Sequence, residues 1–280
     1  MGDIAYYNGC FSERDELRIP ITDRSFFFGD AVYDMMIGEG GLIHQAEEHI
    51  ERLFRSAALI GIRPSFTQDD LLNLAYLAVE KSRLGSYSVY AQISRCSKKR
   101  IHSYHSSGGE NLLITVEEHK LKKEVEYIKL ITLEDLRYRY CNVKTVNLLP
   151  AVLASGKAEE AGCEEAIFYR GRTVTECAHS NVSIIKNGAI YTHPNSDVIL
   201  PGITRKHLLA TASLLGIPTY EIPFTVADLY SADEILISST TKLLRFAKEI
   251  DGIKVGGRCS SLAALLYGGL LDEYEKNCHK

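Results

Sequence analysis

The sequence around Lys144 could make the amine of this lysine chemically reactive. It lies in the segment 143–154, VKTVNLLPAVLA, where the pattern predicts that the lysine ends an apolar strand. Pro150 favours a helix that begins just after the lysine, and the neighbouring apolar residues predict that this helix packs inward: Leu148, Leu149, Val152 and Leu153. A lysine desolvated there loses proton affinity and becomes the nucleophilic amine that Schiff-base chemistry requires. Taken alone, Lys144 would still be interpreted as one more surface lysine.

Glu176 is a carboxylate at a second position suited to chemistry. It ends a short β-branched stretch, TVTE at 173–176, and the pair Asn187-Gly188 then predicts a hairpin turn into the strand that follows. We therefore expect this carboxylate on a defined edge of a sheet.

Two segments could bind an anion through backbone and hydroxyl groups. At 199–205, Gly202 allows a tight turn into a helix, and Thr204 is predicted to cap that helix, which leaves free N–H groups directed outward. At 237–241, hydroxyl side chains follow the strand predicted from residue 234. Each segment is therefore a candidate phosphate site.

The amine, the carboxylate and the two turns are together the groups that pyridoxal 5'-phosphate requires of a protein. In this combination the chain resembles the class IV aminotransferases, which are the fold-type IV pyridoxal phosphate enzymes. The similarity begins at 23–33, DRSFFFGDAVY, and ends near Asp251-Gly252, so it covers nearly the whole chain. Within the family the chain is most similar to the D-amino-acid transaminases.

The resemblance implies a role for each of these groups. Lys144 would be the Schiff-base lysine and proton carrier, and Glu176 would keep the pyridine nitrogen protonated. The phosphate would be bound by Arg52, in the motif HIERL at 49–53, and by three further residues: Ile203, Thr204 and Thr240. Arg52 lies beside the apolar stripe of an amphipathic helix predicted for 45–61, where a solvated arginine is the default without the family match.

Three residues would recognise the substrate. The segment 90–102, YAQISRCSKKRIH, is similar to the stretch of the D-amino-acid transaminases that supplies an arginine and a histidine, here Arg100 and His102. With Tyr33 they would bind the α-carboxylate through charge-assisted and phenolic hydrogen bonds. In that family the arginine and histidine come from the other subunit, so the resemblance implies a homodimer with shared active sites. Without the resemblance, the basic run 98–100 is typical of solvated surface.

The stretch after Glu176 departs from the family pattern. Cys177, Ala178 and His179 stand where the D-amino-acid transaminases typically carry a glycine and a run of serines. Because the resemblance places this stretch in the wall of the substrate pocket, His179 could narrow the pocket or change its charge. The preferred substrate side chain is therefore left open. The tail from Arg258 onward has no match in the family pattern.

The activity implied is transamination between a D-amino acid, such as D-alanine or D-glutamate, and a 2-oxo acid. It would proceed by a ping-pong mechanism through Lys144. The alternatives are an L-branched-chain aminotransferase and an aminodeoxychorismate lyase, and Arg100 and His102 oppose both by resemblance. A non-catalytic cofactor-binding protein is a further alternative, but it would need neither Lys144 nor Glu176.

Composition and charge argue against several other classes of protein. A formal net charge of −4 gives no basic surface for nucleic acid. Seven cysteines without a CxxC pair are typical of reduced thiols, as expected for a cytoplasmic enzyme. We expect no signal peptide and no membrane span, because no apolar stretch has the required length or position. His102 and His105 are three residues apart, but no ligands complete a site around them, so no metal is expected.

The order of elements predicts an α+β fold with two lobes. A small N-terminal lobe would cover 1–118, a charged linker would follow at 119–126, and a larger C-terminal lobe with Lys144 would cover 127–280. The first lobe would contain the 45–61 helix, a second helix at 67–84 capped by Thr67, and two strands at 87–94 and 111–117. The cofactor is expected in the cleft between the lobes.

Overall fold

The computed structural model describes residues 2–104 and 109–278, and its backbone forms two compact units. The first unit contains Met1–Leu121, Val143–Asn147 and Tyr274–Lys280, and the second contains Lys122–Asn142 and Leu148–Glu273. The segment with Lys144 therefore belongs to the first unit, although it lies beyond the linker predicted at 119–126. His105, the second histidine of the pair considered above, lies outside the described residues.

A six-stranded antiparallel sheet is the framework of the first unit. The strands run in the order β2-β1-β6-β5-β3-β4. They are β1 Ile4–Tyr7, β2 Cys10–Glu13, β3 Ala31–Glu39, β4 Leu42–Ile43, β5 Ser86–Ser94 and β6 Asn111–Glu118. Burial alternates along β5, as expected for a strand with one face on the core. The strands predicted at 87–94 and 111–117 are confirmed.

Three helices belong to the first unit: α1 Arg24–Phe28, α2 Ala46–Leu59 and α3 Gln68–Ser82. The side chain of Thr67 accepts the backbone N–H of Asp70, and the Asp70 carboxylate accepts the N–H of Thr67, so a reciprocal capping box starts α3. Ile50, Leu53 and Ala57 of α2 are buried in the core of the unit. Both long helices and the Thr67 cap are confirmed as predicted.

A mixed sheet is the framework of the second unit. Its strands run in the order β12-β11-β10-β13-β14-β7-β8-β9, and β15 pairs with β14. They are β7 Tyr127–Glu134, β8 Glu165–Arg170, β9 Thr173–Cys177, β10 Asn181–Lys186, β11 Ala189–Thr192, β12 Thr219–Glu221, β13 Glu234–Ser239, β14 Leu243–Ile250 and β15 Ile253–Lys254. Asn187 and Gly188, both with positive φ, join β10 to β11, so the predicted hairpin is confirmed.

Four further helices follow along the chain: α4 Leu149–Glu160, α5 Ile203–Leu214, α6 Val226–Ser231 and α7 Ser260–Cys278, of which α7 belongs to the second unit as far as Glu273. The helix predicted at Pro150 is present, with the proline in its first turn. The prediction that its apolar residues pack inward is wrong. Ala154 and Ala158 face the sheet, whereas four larger side chains are between 41% and 68% exposed: Leu148, Leu149, Val152 and Leu153.

Lys144 does not end a strand, which corrects a second prediction. Its segment is irregular, and an isolated bridge between Thr145 and Val32 is the β-pairing there. Six residues, 143–148, separate the turn at 141–142 from the helix that starts at Leu149, and they form that one bridge rather than a strand.

The α+β class is confirmed by the antiparallel first sheet, the mixed second sheet and the seven helices of the described residues. Within that described part of the chain, no helix has the length and apolar character needed to cross a membrane.

Candidate active site

Lys144 is held by its backbone on both sides and lies against an aromatic ring. Its N–H donates to the Ser56 hydroxyl at 3.2 Å, and its carbonyl accepts the N–H of Tyr33 at 2.8 Å. The amine Nζ lies 4.6 Å from the centre of the Tyr33 ring, which in turn stacks on Tyr90. A ring face stabilises a cation without accepting its proton. Across the described residues the amine forms no ion pair, so it is available for chemistry.

Arg52, the predicted phosphate ligand, is buried on α2 and bound to Asp34 of β3. Its Nε and Nη2 donate to the two carboxylate oxygens of Asp34 at 2.8 and 2.7 Å. His49, one turn earlier on the same helix, contacts Asp34 through Nδ1 at 2.8 Å. The three side chains therefore form one buried polar cluster, the Asp34 cluster, which fixes the plane of the guanidinium.

The charges in the Asp34 cluster shift the pKa values of two of its members. Burial by itself raises the pKa of the Asp34 carboxyl, but the positive charge of Arg52 and the bonds from His49 and Arg52 hold it well below its ordinary value. Burial lowers the pKa of His49, and the repulsion from Arg52 and Lys144 acts in the same direction, while Asp34 opposes it. His49 is thus a neutral imidazole at neutral pH, and Asp34 is the anion of the cluster.

Arg100 and His102 lie on an exposed segment after β5. Both contact the ring of Phe28: the Arg100 guanidinium lies 5.4 Å from its centre, and the His102 ring lies 5.1 Å away. Neither residue contacts Tyr33 within the described part of the chain. The first unit thus contains two separate pairs of predicted site residues. Tyr33 contacts Lys144, and Arg100 and His102 share the ring of Phe28.

Glu176, the predicted partner of a ring nitrogen, is the last but one residue of β9 and is buried in the second unit. One carboxylate oxygen pairs with Arg137, and the other accepts the Asn181 amide at 3.0 Å and the N–H of Leu200 at 2.9 Å. Burial raises the pKa of Glu176 above its ordinary value, and Arg137 and the Leu200 N–H act against that rise. Burial thus outweighs the opposing contacts in the direction of the shift.

Arg137 is a site residue that the sequence did not reveal. This half-buried arginine binds Asp135 by Nε and Nη2, at 2.9 Å each, and Arg170 binds the same carboxylate at 3.0 Å. The local signal was present, because Asp135 and Arg137 follow directly on the strand β7. That local signal could not show that Arg137 pairs with Glu176, because Glu176 lies 39 residues further along the chain.

The turn before α5 differs in detail from the prediction. Gly202, not Thr204, is the N-cap, and no side chain caps the helix. Gly202 has an ordinary negative φ, and glycine is required here because any Cβ would collide with the amide oxygen of Asn181. Thr204 lies in the first turn, where it and Ile203 are buried. No side chain in the described part of the chain therefore competes with an anion for the first N–H groups of α5.

Thr240 and His179 complete the set of predicted positions. Thr240 is half-buried in the turn that joins β13 to β14, directly after the strand, as the sequence indicated. The backbone N–H and Nδ1 of His179 lie 2.8 and 3.1 Å from one oxygen of the buried Glu165, while the side chain remains 56% exposed. Glu165 therefore fixes the orientation of an imidazole that is open to solvent.

The residues present fit the cofactor that the resemblance implies. The first unit supplies an amine with no ion pair among the described residues, Lys144, and an oriented guanidinium, Arg52. The second unit contains the buried carboxylate of Glu176 and the N-terminus of α5, which no described side chain caps. An electron-accepting pyridinium ring with a phosphate needs these four kinds of group.

Comparison with known proteins identifies the family. The family model described as amino-transferase class IV matches residues 31–250. The chain is 35% identical over 277 residues to the D-alanine aminotransferase of Listeria monocytogenes serotype 4b (strain F2365), covering 97% of this chain and 96% of that protein. It is 36% identical over 253 residues to the D-alanine aminotransferase of Staphylococcus epidermidis (strain ATCC 35984), with 89% and 90% covered.

Solved structures of the same fold-type IV architecture agree with this assignment. The branched-chain amino acid aminotransferase of Escherichia coli superposes with a TM-score of 0.90 at 20% identity, covering 100% of this chain and 97% of that one. The branched-chain aminotransferase of the thermophilic archaeon Thermoproteus uzoniensis, with norvaline, gives a TM-score of 0.87 at 22% identity, with 98% and 97% covered. At these identities the likeness concerns the fold. The chain belongs to the class IV aminotransferases.

Proposed function

We propose that this enzyme uses pyridoxal 5'-phosphate to transfer the amino group between a D-amino acid and a 2-oxo acid. D-alanine and D-glutamate are the substrates we expect for the first half-reaction. The observation that carries the substrate assignment is the match, over nearly the whole chain, to relatives named D-alanine aminotransferase. The branched-chain likeness is limited to the fold, so it does not favour an L-specific enzyme.

Lys144 is the residue we assign to proton transfer. When bound, the cofactor supplies an electron-accepting ring that stabilises negative charge at the Cα of the amino acid. The Lys144 Nζ would take up and release the Cα proton, and the ring face of Tyr33 would stabilise the ammonium that forms. The Glu176 carboxylate, which Arg137 keeps in place, would hold the ring nitrogen in its protonated form.

Phosphate binding is assigned to Arg52 and to three residues of the second unit: Ile203, Thr204 and Thr240. Arg52 contributes the positive charge, in an orientation that Asp34 fixes. The first N–H groups of α5 contribute donors at the positive end of a helix dipole. The Thr240 hydroxyl contributes one further donor.

Binding of the substrate α-carboxylate is assigned to Arg100, His102 and Tyr33 in a homodimer with shared sites. We propose that Arg100 and His102 act in the active site of the other subunit, because they lie on an exposed segment and, among the described residues, form no hydrogen bond or ring contact with Tyr33. The exposed apolar side chains of α4 support dimer formation, since Leu149, Val152 and Leu153 are 68%, 61% and 59% exposed in one chain.

We also place the enzyme in the cytoplasm. None of its seven cysteines, all within the described residues, forms a disulfide, which suits a reducing compartment.

One assay tests the proposed function directly. Matched D- and L-amino acids are offered with 2-oxoglutarate, or with pyruvate where glutamate is the donor, and amino transfer is measured by chiral chromatography of the newly formed amino acid. We expect turnover of D-alanine or D-glutamate and none of L-leucine. Preferred turnover of L-leucine would assign a branched-chain aminotransferase instead, and pyruvate release from aminodeoxychorismate would assign a lyase. Cofactor binding without turnover of any of these would leave a non-catalytic binding protein.

A further inference from the structure

The backbone of the segment 100–102 is held by a buried arginine from α1. Arg24 donates from Nη1 to the carbonyl of Ile101 at 2.5 Å and from Nη2 to the carbonyl of His102 at 3.3 Å. These partners lie 77 and 78 residues away in the chain. A single guanidinium thus bridges two successive carbonyls of an otherwise exposed segment, which is possible because its donors form a rigid fork.

The side chains of the same segment are held by the last residue of α1. The Phe28 ring lies 5.1 Å from the His102 ring and 5.4 Å from the Arg100 guanidinium. Its ring also lies 4.6 Å from the guanidinium of Arg24. Phe28 is therefore the common contact of both side chains that the proposed function assigns to the substrate carboxylate.

Arg24 is itself fixed by an ion pair. Its Nε donates to Asp30 Oδ2 at 2.7 Å, and the same carboxylate accepts Nε of Arg95 at 2.8 Å. Arg95 also donates to the carbonyls of Ile60 and Gly61, which follow α2. Asp30 thus connects the support of the exposed segment to the core elements of the first unit, so Arg24 has one defined position.

We infer that Arg24 and Phe28 are positioning residues, which hold the segment 100–102 in the conformation that binds the substrate α-carboxylate. Neither side chain needs to touch substrate for this role. The inference rests on the proposed function for its substrate, but the geometry of the segment can be tested without any substrate. Arg24→Gln removes the charge and the fork, whereas Arg24→Lys keeps the charge beside Asp30 but cannot bridge two carbonyls.

The first measurement is limited proteolysis of the native enzyme with trypsin, read by mass spectrometry. Cleavage after Arg100 is compared with cleavage after Arg83, an exposed residue of the same unit. A general destabilisation of the first unit raises the cleavage rate at both sites. Loss of the Arg24 contacts raises the rate after Arg100 but not the rate after Arg83. We expect the ratio to rise about tenfold in Arg24→Gln and less in Arg24→Lys, because a charged hydrogen bond is lost.

The second measurement is steady-state kinetics with D-alanine. In Arg24→Gln the KM for D-alanine should rise about tenfold, while kcat and the cofactor absorbance remain at wild-type values. Arg24→Lys should recover part of the KM. Arg258→Gln is the matched control, because Arg258 also ties two backbone carbonyls and one carboxylate, but in the second unit.

The possible results separate the inference from the proposed function. A folded Arg24→Gln enzyme with an unchanged cleavage ratio, or with a raised ratio and a wild-type KM, overturns the inference. Should Arg24→Gln not fold, Arg24→Lys is judged by the same two criteria. If the wild-type enzyme uses no D-amino acid, the proposed function fails, and the cleavage ratio alone decides whether Arg24 positions the segment.

Discussion

The carboxylate of Asp34 binds the guanidinium of Arg52 through two hydrogen bonds, from Nε at 2.8 Å and from Nη2 at 2.7 Å. Both side chains are buried, so this pair is a structural element of the first unit as well as a candidate part of a phosphate site. The two roles predict different effects of substitution and can be separated.

Replacement of Arg52 should affect stability and cofactor binding together. Arg52→Ala leaves the Asp34 anion buried without its partner, which is expected to cost about 3 to 5 kcal/mol of the free energy of unfolding. Arg52→Lys keeps the charge but loses the two-point geometry, so cofactor affinity should fall about tenfold with turnover preserved at saturating cofactor. Cofactor titration after dialysis measures the affinity. Arg55→Ala, on the exposed side of the same helix, is the control, and wild-type affinity in Arg52→Lys would contradict the assignment to the phosphate.

Lys144 should be the residue that forms the covalent link to the cofactor. The purified enzyme is expected to absorb visible light, and Lys144→Ala should lose both the band and the link that borohydride reduces, because the nucleophilic amine is gone. Peptide mapping of the reduced enzyme locates the modified lysine. Lys157→Ala removes an exposed lysine of α4 and should change nothing. A reducible link that persists in Lys144→Ala would assign another lysine.

Glu176→Gln should separate catalysis from cofactor binding. The amide can still accept the Leu200 N–H but carries no charge, so it no longer favours protonation of the ring nitrogen. We expect kcat to fall roughly tenfold to a hundredfold, the value of one charged hydrogen bond, while the cofactor remains bound. Single-turnover kinetics of the loaded variant checks this result. A normal kcat would remove Glu176 from the catalytic residues.

Arg100→Ala should reduce kcat/KM toward D-alanine, mainly through KM. Loss of a charged hydrogen bond to the substrate carboxylate corresponds to about tenfold to a hundredfold. The adjacent Lys99→Ala removes a similar exposed charge and serves as the control. Unchanged kinetics in Arg100→Ala, with active wild-type enzyme, would leave Arg100 as an ordinary surface residue.

His49 should make the stability of the enzyme depend on pH. Burial holds the pKa of its imidazole below the ordinary value of 6.5, so the unfolded chain binds the proton more readily than the folded chain does. The free energy of unfolding should therefore decrease as the pH falls below about 6.5, and it should be flat above that value as far as His49 is concerned. The pKa of Asp34 is also lowered, so its contribution is lost only at much more acidic pH.

The variant His49→Gln tests this dependence, because its amide can still donate to Asp34 without titrating. Urea unfolding at several pH values between about 5 and 7 should give a smaller slope for the variant than for the wild type. An identical slope in the two proteins would assign the dependence to other groups.

Local sequence patterns were sufficient to predict a structure wherever the backbone conformation depends on residues close together in the chain. The capping box of Thr67 and Asp70 and the positive φ values at Asn187-Gly188 are of this kind. The candidate residues Lys144 and Glu176 could likewise be selected from sequence, because their motifs are short and occur in a recognisable order. None of these features required knowledge of distant contacts.

The electrostatic partners of the site were decided by tertiary structure. Asp34 lies 18 residues before Arg52, and Arg137 lies 39 residues before Glu176. Each pair joins separate elements, so no local period connects its two members. The charges of these partners nevertheless set the pKa of Asp34 and oppose the rise in the pKa of Glu176.

The helix α4 shows, within one element, both what the sequence determined and what only the tertiary structure decided. Its sequence predicted an apolar helix with Pro150 in its first turn. Because apolar residues lie on all sides of this helix, the pattern did not define which face packs inward. The tertiary structure placed Ala154 and Ala158 against the sheet, because small side chains allow the helix to approach closely, and it left Leu149 and Val152 at the surface. Hydrophobicity determines how much surface is to be buried, and only the packing of the elements decides which surface meets the core of the same chain.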